Sequence, residues 1–423
     1  AVASEADTAA MHAELADRVV VLGPPEPGAS YLRQDLIIAA ARETGADAIH
    51  PGYGFLAENA GFARAVTDAG LVWIGPSGAV IEAMGEKTAA RAVMEEAGVP
   101  VVPGALLPEP DAEGVLPAQE VATAAASVGY PLMVKAAFGG GGKGMRLVED
   151  TAGVQAACEA AAREAQKAFG DGMVYLEKYL ERPRHVEFQI FGDSHGNFVH
   201  LFERECSIQR RHQKIIEESP SPVVDDAMRA AMGDAALALA RAMGYRSAGT
   251  VEFLVDDETR EFFFLEVNTR LQVEHPVTEE VTGIDLVREQ LRIAAGEPLG
   301  YRQDDIEVSG HAIEARLYAE DPAQGFLPAA GTLAAFRPAG VPAVRWDTGV
   351  EEGSTVTVDF DPMLAKVIAH GPTRTEAAGA LALALERLHL GGVTTNREFL
   401  AATLRHPAFL AGDTTTDFIE RVE

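Results

Sequence analysis

The sequence predicts a multidomain protein of the α/β and α+β classes, and three observations support this prediction. The chain has 423 residues, whereas single hydrophobic cores stop growing at about 250–300 residues. Short apolar segments at 19–22, 46–50 and 71–74 alternate with helical patterns, as in parallel α/β layers. From residue 130 to 206 the pattern becomes strands with one helix between them, so a small α+β unit is expected there.

The first helical pattern, SYLRQDLIIAAARETG, lies between the first two apolar segments and gives the order strand, helix, strand. A later helical pattern ends at Gly98 and Pro100, which act as stop signals. A domain boundary is therefore expected near residues 85 to 105. The chain begins without methionine and without a hydrophobic signal segment, and we expect it to be a piece of a longer protein.

The composition argues against several classes of function. A net charge of −29 and a pI near 4.7 disfavour a nucleic-acid partner, because phosphate backbones select basic surfaces. No apolar run approaches the roughly 20 residues that span a bilayer, so membrane insertion is not expected. The two cysteines, Cys158 and Cys206, are too few for a disulfide framework or a thiolate zinc site. A reducing compartment is expected, either the cytoplasm or, in a eukaryote, the mitochondrial matrix.

A glycine-rich segment, FGGGGKGM, lies between two strand patterns, PLMVKA and RLVED. Its glycines match the G-x-G-x-x-G spacing, but a dinucleotide-binding fingerprint must open a helix, and this segment does not. It is no Walker A loop either, since Lys143 is followed by Gly144 rather than by Ser or Thr. The pattern is closer to the flexible lid that kinases place over triphosphates, with a merely mobile turn as the alternative.

The densest positive cluster lies in ERECSIQRRHQKIIEE and comprises Arg204, Arg210, Arg211, His212 and Lys214. A run of charge is usually a solvated face, but here the local charge opposes the sign of the whole chain. An anion site and a solvated face are therefore about equally favoured at this point.

Carboxylates come together in a predicted hairpin formed by TVEFLV and FFFLEVN, which brings Glu252 close to Glu266 and Asn268. Oxygen ligands without Cys or His suit a hard cation such as Mg²⁺, with two surface carboxylates as the alternative. The stretch LEVNTRLQVEH alternates strictly, so in an extended chain Arg270, Gln272 and Glu274 would continue the same face at about 7 Å spacing. Together with the lid and the positive cluster, this favours Mg-ATP with a second substrate beside the γ-phosphate.

Seven motifs together resemble one family. They are GEKTAARA, the lysine and glycines of KAAFGGGGKGM, EKYLERPRHVE, SIQRRHQKIIEE, TVEFL, LEVNTRLQVEHPVTE and GHAIEARLYAEDP. In this order, from about residue 1 to 420, they are similar to the biotin carboxylase component of biotin-dependent carboxylases, an ATP-grasp enzyme. The resemblance implies a Rossmann-like (pre-ATP-grasp) domain at 1–85, an ATP-grasp domain at 86–307 with a lid at about 105–179, and a biotin carboxylase C-terminal domain at 308–423. The family's opening strand, of the type IANRGEIA, is missing, so the first domain is expected to lack its first strand.

The resemblance also implies roles for individual residues. It assigns ATP binding to Lys87, Lys135, Gly139, Gly140, Gly141, Gly142, Glu177, Lys178, Leu180, His185, Gln209, His212 and Leu254. It assigns magnesium or manganese to Glu252, Glu266 and Asn268, and bicarbonate to Lys214, Arg270, Gln272, the backbone of Val273, and Glu274. Arg316 is expected to contact biotin. The expected catalytic residues are Glu274, which would take the proton of bicarbonate, with Arg270, Arg316 and Lys214.

The activity implied by the resemblance is ATP-dependent carboxylation of carrier-bound biotin by bicarbonate, through carboxyphosphate. The ending GDTTTDFIERV is similar to the α subunits of acyl-CoA carboxylases, especially the 3-methylcrotonyl-CoA type. Expected partners are a biotin carboxyl carrier domain and a carboxyltransferase subunit, in an oligomeric complex. The alternatives are the biotin carboxylase part of another biotin-dependent carboxylase, a different ATP-grasp ligase, and an inactive ATP-binding fragment. His50, Tyr53 and His311 are expected to be core or turn positions.

Overall fold

The computed structural model describes residues 1–85, 87–111, 114–137, 145–169, 171–210 and 213–422, without the side chains of 87–89 and 168–169. Some residues predicted to bind ATP lie outside this description, namely Gly139, Gly140, Gly141, Gly142, His212 and the side chain of Lys87. In the described part of the chain, no helix combines the length and the apolar character needed to cross a membrane.

The N-terminal part consists of short parallel strands with helices between them. Its strands and helices are β1 (Val2–Ser4), α1 (Met11–Glu14), β2 (Val20–Gly23), α2 (Gln34–Thr44), β3 (Ala48–Ile49), α3 (Ala60–Asp68), β4 (Val72–Trp73) and α4 (Gly78–Gly85). The strands form two parallel pairs, β1 with β2 and β3 with β4. A cleft of about 540 Å³ lies between the pairs and is lined by apolar residues of both. The three predicted strands and the first predicted helix are confirmed, whereas β1 was not predicted.

A small antiparallel sheet follows. Its elements are α5 (Lys87–Glu96), β5 (Gly104–Leu106), α6 (Ala118–Val128), β6 (Leu132–Ala136), β7 (Arg146–Val148), α7 (Val154–Phe169) and β8 (Val174–Lys178). The strand order is β5-β8-β6-β7. Val121, Leu132, Cys158 and Val174 are buried in a core between this sheet and helices α6 and α7. The small sheet therefore has an apolar core of its own. The predicted bounds of the α+β unit, about 130 to 206, are wrong at both ends, because β5 and α6 precede residue 130 and the strands Pro183–Gly192 and Phe198–Arg210 join the large sheet.

The remainder of the chain builds one large sheet, the helices around it, and smaller two-stranded sheets. Its elements are β9 (Pro183–Gly192), β10 (Phe198–Arg210), β11 (Gln213–Ser219), α8 (Asp226–Ala242), β12 (Ser247–Asp256), β13 (Phe262–Asn268), α9 (His275–Thr282), α10 (Leu286–Ala294), β14 (His311–Tyr318), β15 (Glu320–Asp321), β16 (Leu327–Pro328), β17 (Gly331–Thr332), β18 (Ala335–Arg337), β19 (Val344–Thr348), β20 (Thr355–Val356), β21 (Met363–Gly371), α11 (Arg374–Arg387), β22 (His389–Gly391), α12 (Arg397–Arg405), α13 (Pro407–Leu410) and α14 (Phe418–Val422). The two-stranded sheets are β15-β16, β17-β20 and β18-β22, and eight other strands form the large sheet in the order β13-β12-β9-β10-β11-β14-β21-β19. The last three come from the C-terminal part of the chain, which therefore completes the sheet begun by β9 to β13.

The large sheet has one apolar face and one charged face, because successive side chains of a strand point to opposite sides. Phe188 of β9 packs with Met232 of α8 on the apolar face, and Ile313 of β14 packs with Leu381 of α11. The opposite face, here called the site face, carries Glu187 of β9 and its cross-strand partners, Glu252 of β12 and Arg204 of β10. The domain boundaries predicted from the sequence stay a prediction.

Candidate active site

A row of charged residues crosses the site face of the large sheet. Glu266, Glu252, Glu187 and Arg204 are direct cross-strand partners on β13, β12, β9 and β10. The predicted hairpin that pairs Glu252 with Glu266 is therefore confirmed. Arg204 is fully buried, and its Nε donates to Glu187 Oε1 at 2.6 Å. Because Arg204 is fully buried and paired with Glu187, it forms part of the floor of the site and is not exposed at its surface.

Lys214 is the hub of the site face. Its Nζ donates to Glu187 Oε2 at 2.6 Å, to Glu274 Oε1 at 2.7 Å and to Glu252 Oε1 at 2.9 Å. Burial alone would lower the pKa of Lys214, but the three glutamates outweigh it and raise that pKa well above its ordinary value. One buried lysine therefore stays charged and gathers three carboxyl groups from three separate parts of the chain.

Glu274 is fully buried between two cations. Arg316 donates from Nη2 to Glu274 Oε2 at 2.9 Å and from Nε to Glu217 Oε1 at 2.6 Å. Burial would raise the pKa of Glu274, but Lys214 and Arg316 together hold it well below its ordinary value. Glu274 is therefore a carboxylate with bound cations on both oxygens, at the place where the sequence predicted a base.

The stretch 265–275 is extended only as far as Asn268, where β13 ends. The prediction that Arg270, Gln272 and Glu274 continue the same extended face is wrong, because the chain turns after Asn268 and enters α9 at His275. Proline is favoured in the first turn of a helix, and Pro276 stands there.

The polar groups of this stretch converge nevertheless, through hydrogen bonds in the turn. Arg270 donates from Nη2 to Asn268 Oδ1 at 3.1 Å and from Nη1 to Gln272 Oε1 at 3.3 Å. Gln272 Nε2 donates to Glu252 Oε1 at 3.0 Å, and the carbonyl of Val273 accepts from Lys366 Nζ at 2.8 Å. The site is therefore built on an irregular turn whose shape is fixed by side chains from other elements.

The residues predicted to hold a metal ion lie together at the end of the hairpin. Asn268 Nδ2 donates to Glu252 Oε1 at 2.8 Å, and Glu266 is opposite Glu252 on the neighbouring strand. Carboxylate and amide oxygens are the donors that Mg²⁺ and Mn²⁺ prefer, so this donor set fits such an ion. His185 and Glu187 also bring ligand atoms within 4.8 Å of Glu252.

The described residues predicted to bind ATP fall into two groups. On the large sheet, Gln209 Nε2 donates to His185 Nδ1 at 2.6 Å, and Leu254 is the cross-strand partner of His185. On the small sheet, Lys135 forms an ion pair with Glu177.

The two remaining residues predicted to bind ATP lie at the end of β8. Lys178 donates to the carbonyl of Tyr130 at 2.8 Å, and Leu180 is half-buried just after β8. The predicted nucleotide residues thus come together within each sheet, one group facing Glu252 and the other belonging to the predicted lid.

The predicted positive cluster is divided by the fold. Arg210 donates to Glu320 at 2.8 Å and lies 4.5 Å over the ring of Phe326. Its partner is therefore none of the three glutamates that contact Lys214. Arg211 and His212 lie outside the described residues. Of the described members, Arg204 is buried in the floor and paired with Glu187, whereas Lys214 contacts Glu274. Lys214 is therefore the described member that fits an anion site.

Sequence reasoning missed four residues that shape the site: Glu187, Glu217, Glu58 and Lys366. Glu187 stands on a strand whose alternation matches that of TVEFL, and this signal could have placed it beside Glu252. Glu58 and Lys366 contact the turn 269–274 from 211 residues before it and from 93 residues after it. Neither separation leaves a pattern in the sequence.

Comparisons with known proteins assign this fold to the ATP-dependent ligases of the ATP-grasp class. Family models match nearly the whole chain. "Biotin carboxylase, N-terminal domain" matches residues 1–81, "Carbamoyl-phosphate synthase L chain, ATP binding domain" matches 86–302, and "Biotin carboxylase C-terminal domain" matches 314–421. The chain belongs to the biotin carboxylase family.

Individual relatives agree with this assignment. Over 99% of its length the chain is 47% identical to the propionyl-CoA carboxylase alpha chain of Ruegeria pomeroyi and 50% identical to the mitochondrial methylcrotonoyl-CoA carboxylase subunit alpha of Arabidopsis thaliana. It spans 63% and 56% of those proteins. It is also 50% identical, over 99% of its length, to a biotin carboxylase of Halalkalibacterium halodurans, of which it spans 91%.

A solved structure has the same fold. The biotin carboxylase domain dimer of the Hydrogenobacter thermophilus 2-oxoglutarate carboxylase, in complex with MgADP, ADP and bicarbonate, superposes with a TM-score of 0.91 at 42% identity. The match covers 99% of this chain and 91% of that one. The fold assigned from the sequence is confirmed by this match.

Proposed function

We propose that this chain carboxylates carrier-bound biotin with bicarbonate at the expense of ATP, as the first half-reaction of an acyl-CoA carboxylase. The observation that carries the proposal is Glu274, a buried carboxylate with Lys214 at 2.7 Å and Arg316 at 2.9 Å. A base of this kind stays ionised at neutral pH, and the two cations provide a place for an anion beside it.

In the first step Glu274 takes the proton of bicarbonate while the oxygen that loses it attacks the γ-phosphorus of ATP. The bond from that phosphorus to the β-phosphate oxygen breaks, and ADP leaves with the electron pair. Arg270, Lys214 and the turn at Gln272 and Val273 hold bicarbonate in line for this attack, which removes most of the entropic cost of a bimolecular step. The product is carboxyphosphate.

In the second step carboxyphosphate divides into CO₂ and phosphate. The phosphate accepts the N1 proton of biotin, and N1 forms a bond to the carbon of CO₂. Arg316 lies 2.9 Å from Glu274 and stabilises the negative charge that develops on the ureido oxygen of biotin. Because carboxyphosphate hydrolyses in water, the predicted lid at about 105–179 must close over it.

Nucleotide binding is assigned to the two groups of residues on the two sheets. Lys135, Glu177, Lys178 and Leu180 would contact the nucleotide from the lid side, and His185, Gln209 and Leu254 from the large sheet. Glu252, Glu266 and Asn268 would hold Mg²⁺ or Mn²⁺, which neutralises charge on the transferred phosphoryl group when bound.

The use of carboxybiotin would require partners. We assign these as a biotin carboxyl carrier domain and a carboxyltransferase subunit, with acyl specificity residing in the latter. Support comes from the α chains named above, which are longer than this chain and belong to propionyl-CoA and methylcrotonoyl-CoA carboxylases. An oligomeric complex, in the cytoplasm or the mitochondrial matrix, completes the proposal.

The test is release of ADP from Mg-ATP with free biotin, with and without bicarbonate. Glu274→Gln keeps the size of the side chain and removes the base, so bicarbonate-dependent turnover should fall by about 10²–10⁴-fold. Glu258→Gln, on the exposed turn between β12 and β13, is the matched control and should keep full activity. ATP turnover that does not depend on bicarbonate would instead indicate another ATP-grasp ligase, and ATP binding without turnover an inactive fragment.

A further inference from the structure

The turn at residues 269–274 carries most of the proposed bicarbonate site, yet it belongs to no strand or helix. Its position must therefore come from contacts with other elements. Its C-terminal end is held by Lys366, which donates to the Val273 carbonyl, and by Arg316, which donates to Glu274. Both residues lie on strands of the C-terminal part.

The N-terminal end of the turn is held by Glu58, from the first part of the chain. Glu58 Oε1 accepts from the backbone N–H of Thr269 at 3.0 Å and from its hydroxyl at 3.4 Å. Glu58 Oε2 accepts from Arg270 Nε at 2.8 Å. One carboxylate thus uses one oxygen for the backbone of the turn and the other for its arginine.

Glu58 is itself fixed in place by the start of α3. The next residue, Asn59, caps that helix by accepting from the N–H of Phe62 at 2.8 Å. Phe62 and Val66 anchor the helix in the N-terminal core. A capped and packed helix start fixes the backbone beside Glu58, and the hydrogen bonds to Thr269 and Arg270 then hold its partly exposed carboxylate against the turn.

The contact at Nε determines how Arg270 presents its other nitrogens. A guanidinium is planar and rigid, so holding Nε at Glu58 fixes the direction of Nη1 and Nη2. These two nitrogens point to Gln272 Oε1 and Asn268 Oδ1, on the side of Glu252. Fork-shaped recognition of a planar oxyanion depends on this orientation.

We propose that Glu58 is a positioning residue for bicarbonate, which acts by orienting Arg270 and holding Thr269. The proposal rests on the proposed function, in which Arg270 binds bicarbonate. It also gives the N-terminal part a direct role in the reaction, because that part then sets the geometry of the bicarbonate site.

The test separates the two oxygens of Glu58. Glu58→Gln keeps a carbonyl oxygen that accepts from Thr269 and loses the charge that holds Arg270. We expect the KM for bicarbonate to rise about tenfold, because a hydrogen bond to a charged group is weakened. The KM for ATP and kcat should change by less than about twofold. Glu58→Asp restores the charge on a shorter side chain and should recover part of the affinity for bicarbonate.

The matched control is Glu82→Gln, in the same part of the chain, which breaks the exposed pair of Glu82 with Arg64. It should leave all three constants unchanged. An unchanged KM for bicarbonate in Glu58→Gln would overturn the proposal. So would an equal rise in the KM for ATP and bicarbonate with a lower Tm, because that pattern indicates a structural role alone.

A second readout keeps the inference testable if the chain shows no bicarbonate-dependent turnover and the proposed function fails. The Nε–H signal of Arg270 in a ¹⁵N NMR spectrum, assigned by its loss in Arg270→Lys, reports the contact directly. Glu58→Gln should shift this signal, and Glu82→Gln should not. An unshifted signal in Glu58→Gln would overturn the proposed orientation of Arg270, whatever the activity of the chain.

Discussion

Two neighbouring glutamates of β11 show how differently the two faces of the large sheet treat charge. Glu217 points to the site face, where burial raises its pKa to about 7 although Arg316 opposes the effect. Glu218 points to the apolar face, where burial acts in the same direction but Arg374 and His311 outweigh it and lower its pKa to about 2. Burial is the same for both residues, so the supply of cations decides the difference.

Among the described residues, several carboxylates of the site face share the same cations. Glu217 shares Arg316 with Glu274, and three glutamates share Lys214. Glu314, opposite Glu217 on β14, has both carboxyl oxygens buried without a hydrogen-bond partner in the described residues. Burial raises its pKa well above the ordinary value. Such an arrangement costs stability, as is common where a protein must hold a reactive group.

The largest loss of stability is expected for a substitution on the apolar face. Glu218→Gln should lower the free energy of unfolding by about 3 kcal/mol at pH 7, since a pKa lowered from 4.5 to about 2 corresponds to that amount. This contribution is complete above about pH 4.5 and is lost as pH falls toward 2. Urea unfolding of the variant and the wild type at pH 7 and near pH 2.5, followed by tryptophan fluorescence, measures it.

The activity of the same variant tests whether Glu218 is separate from the active site. The bicarbonate-dependent activity of Glu218→Gln, per folded molecule, should stay near the wild-type value, because the residue faces away from the site. A large fall in activity without a loss of stability would remove the distinction between the two faces.

For Glu217→Gln we expect a smaller change in the free energy of unfolding, with the opposite dependence on pH. A carboxyl group with a raised pKa stabilises the protein while it is protonated, and this contribution is lost as pH rises from about 4.5 through about 7. The variant cannot ionise, so its stability should decline less between pH 5 and pH 8, by about 2.5 kcal/mol. Urea unfolding between pH 5 and pH 8 measures this slope. Equal slopes in the variant and the wild type would contradict the raised pKa.

The smallest effect is expected for an exposed pair. Glu386 and Arg405 lie on the surface at 2.6 Å, and solvent screens their attraction. Glu386→Gln should change the free energy of unfolding by about 0.5 kcal/mol or less. The same urea measurement at pH 7 serves as the baseline for the two buried glutamates. A loss near that of Glu218→Gln would mean that burial is not what distinguishes them.

Local patterns in the sequence predicted part of the site correctly and part of it wrongly. Alternation in TVEFL and FLEVN placed Glu252 opposite Glu266, and the structure confirms this pairing. The same alternation misled beyond Asn268, because the signal for a helix start at Pro276 was weaker than the regular spacing of polar residues. The positive cluster left an anion site and a solvated face equally favoured, and the fold divides it: Arg204 pairs with Glu187 inside the sheet, and Lys214 contacts Glu274.

The rest of the site depends on contacts between distant parts of the chain. Nothing in the composition of AENAGF indicates that Glu58 holds Thr269, and nothing near Lys366 indicates the carbonyl of Val273. These partners become neighbours only when three parts of the chain meet around one sheet. Motifs shared with a family can supply the proposed roles of such residues, whereas the physical patterns of one sequence cannot.

The joining of the last three strands to the large sheet has a consequence for synthesis on the ribosome. Until β14 has been synthesised, β11 lacks this partner strand and Glu217 lacks its partner Arg316. Glu274 then has Lys214 but lacks its second cation, which arrives with β14 at His311–Tyr318. Lys366 follows still later, on β21. The base proposed at Glu274 therefore gains its second cation only after the strands that carry His185, Gln209 and Leu254 have been synthesised.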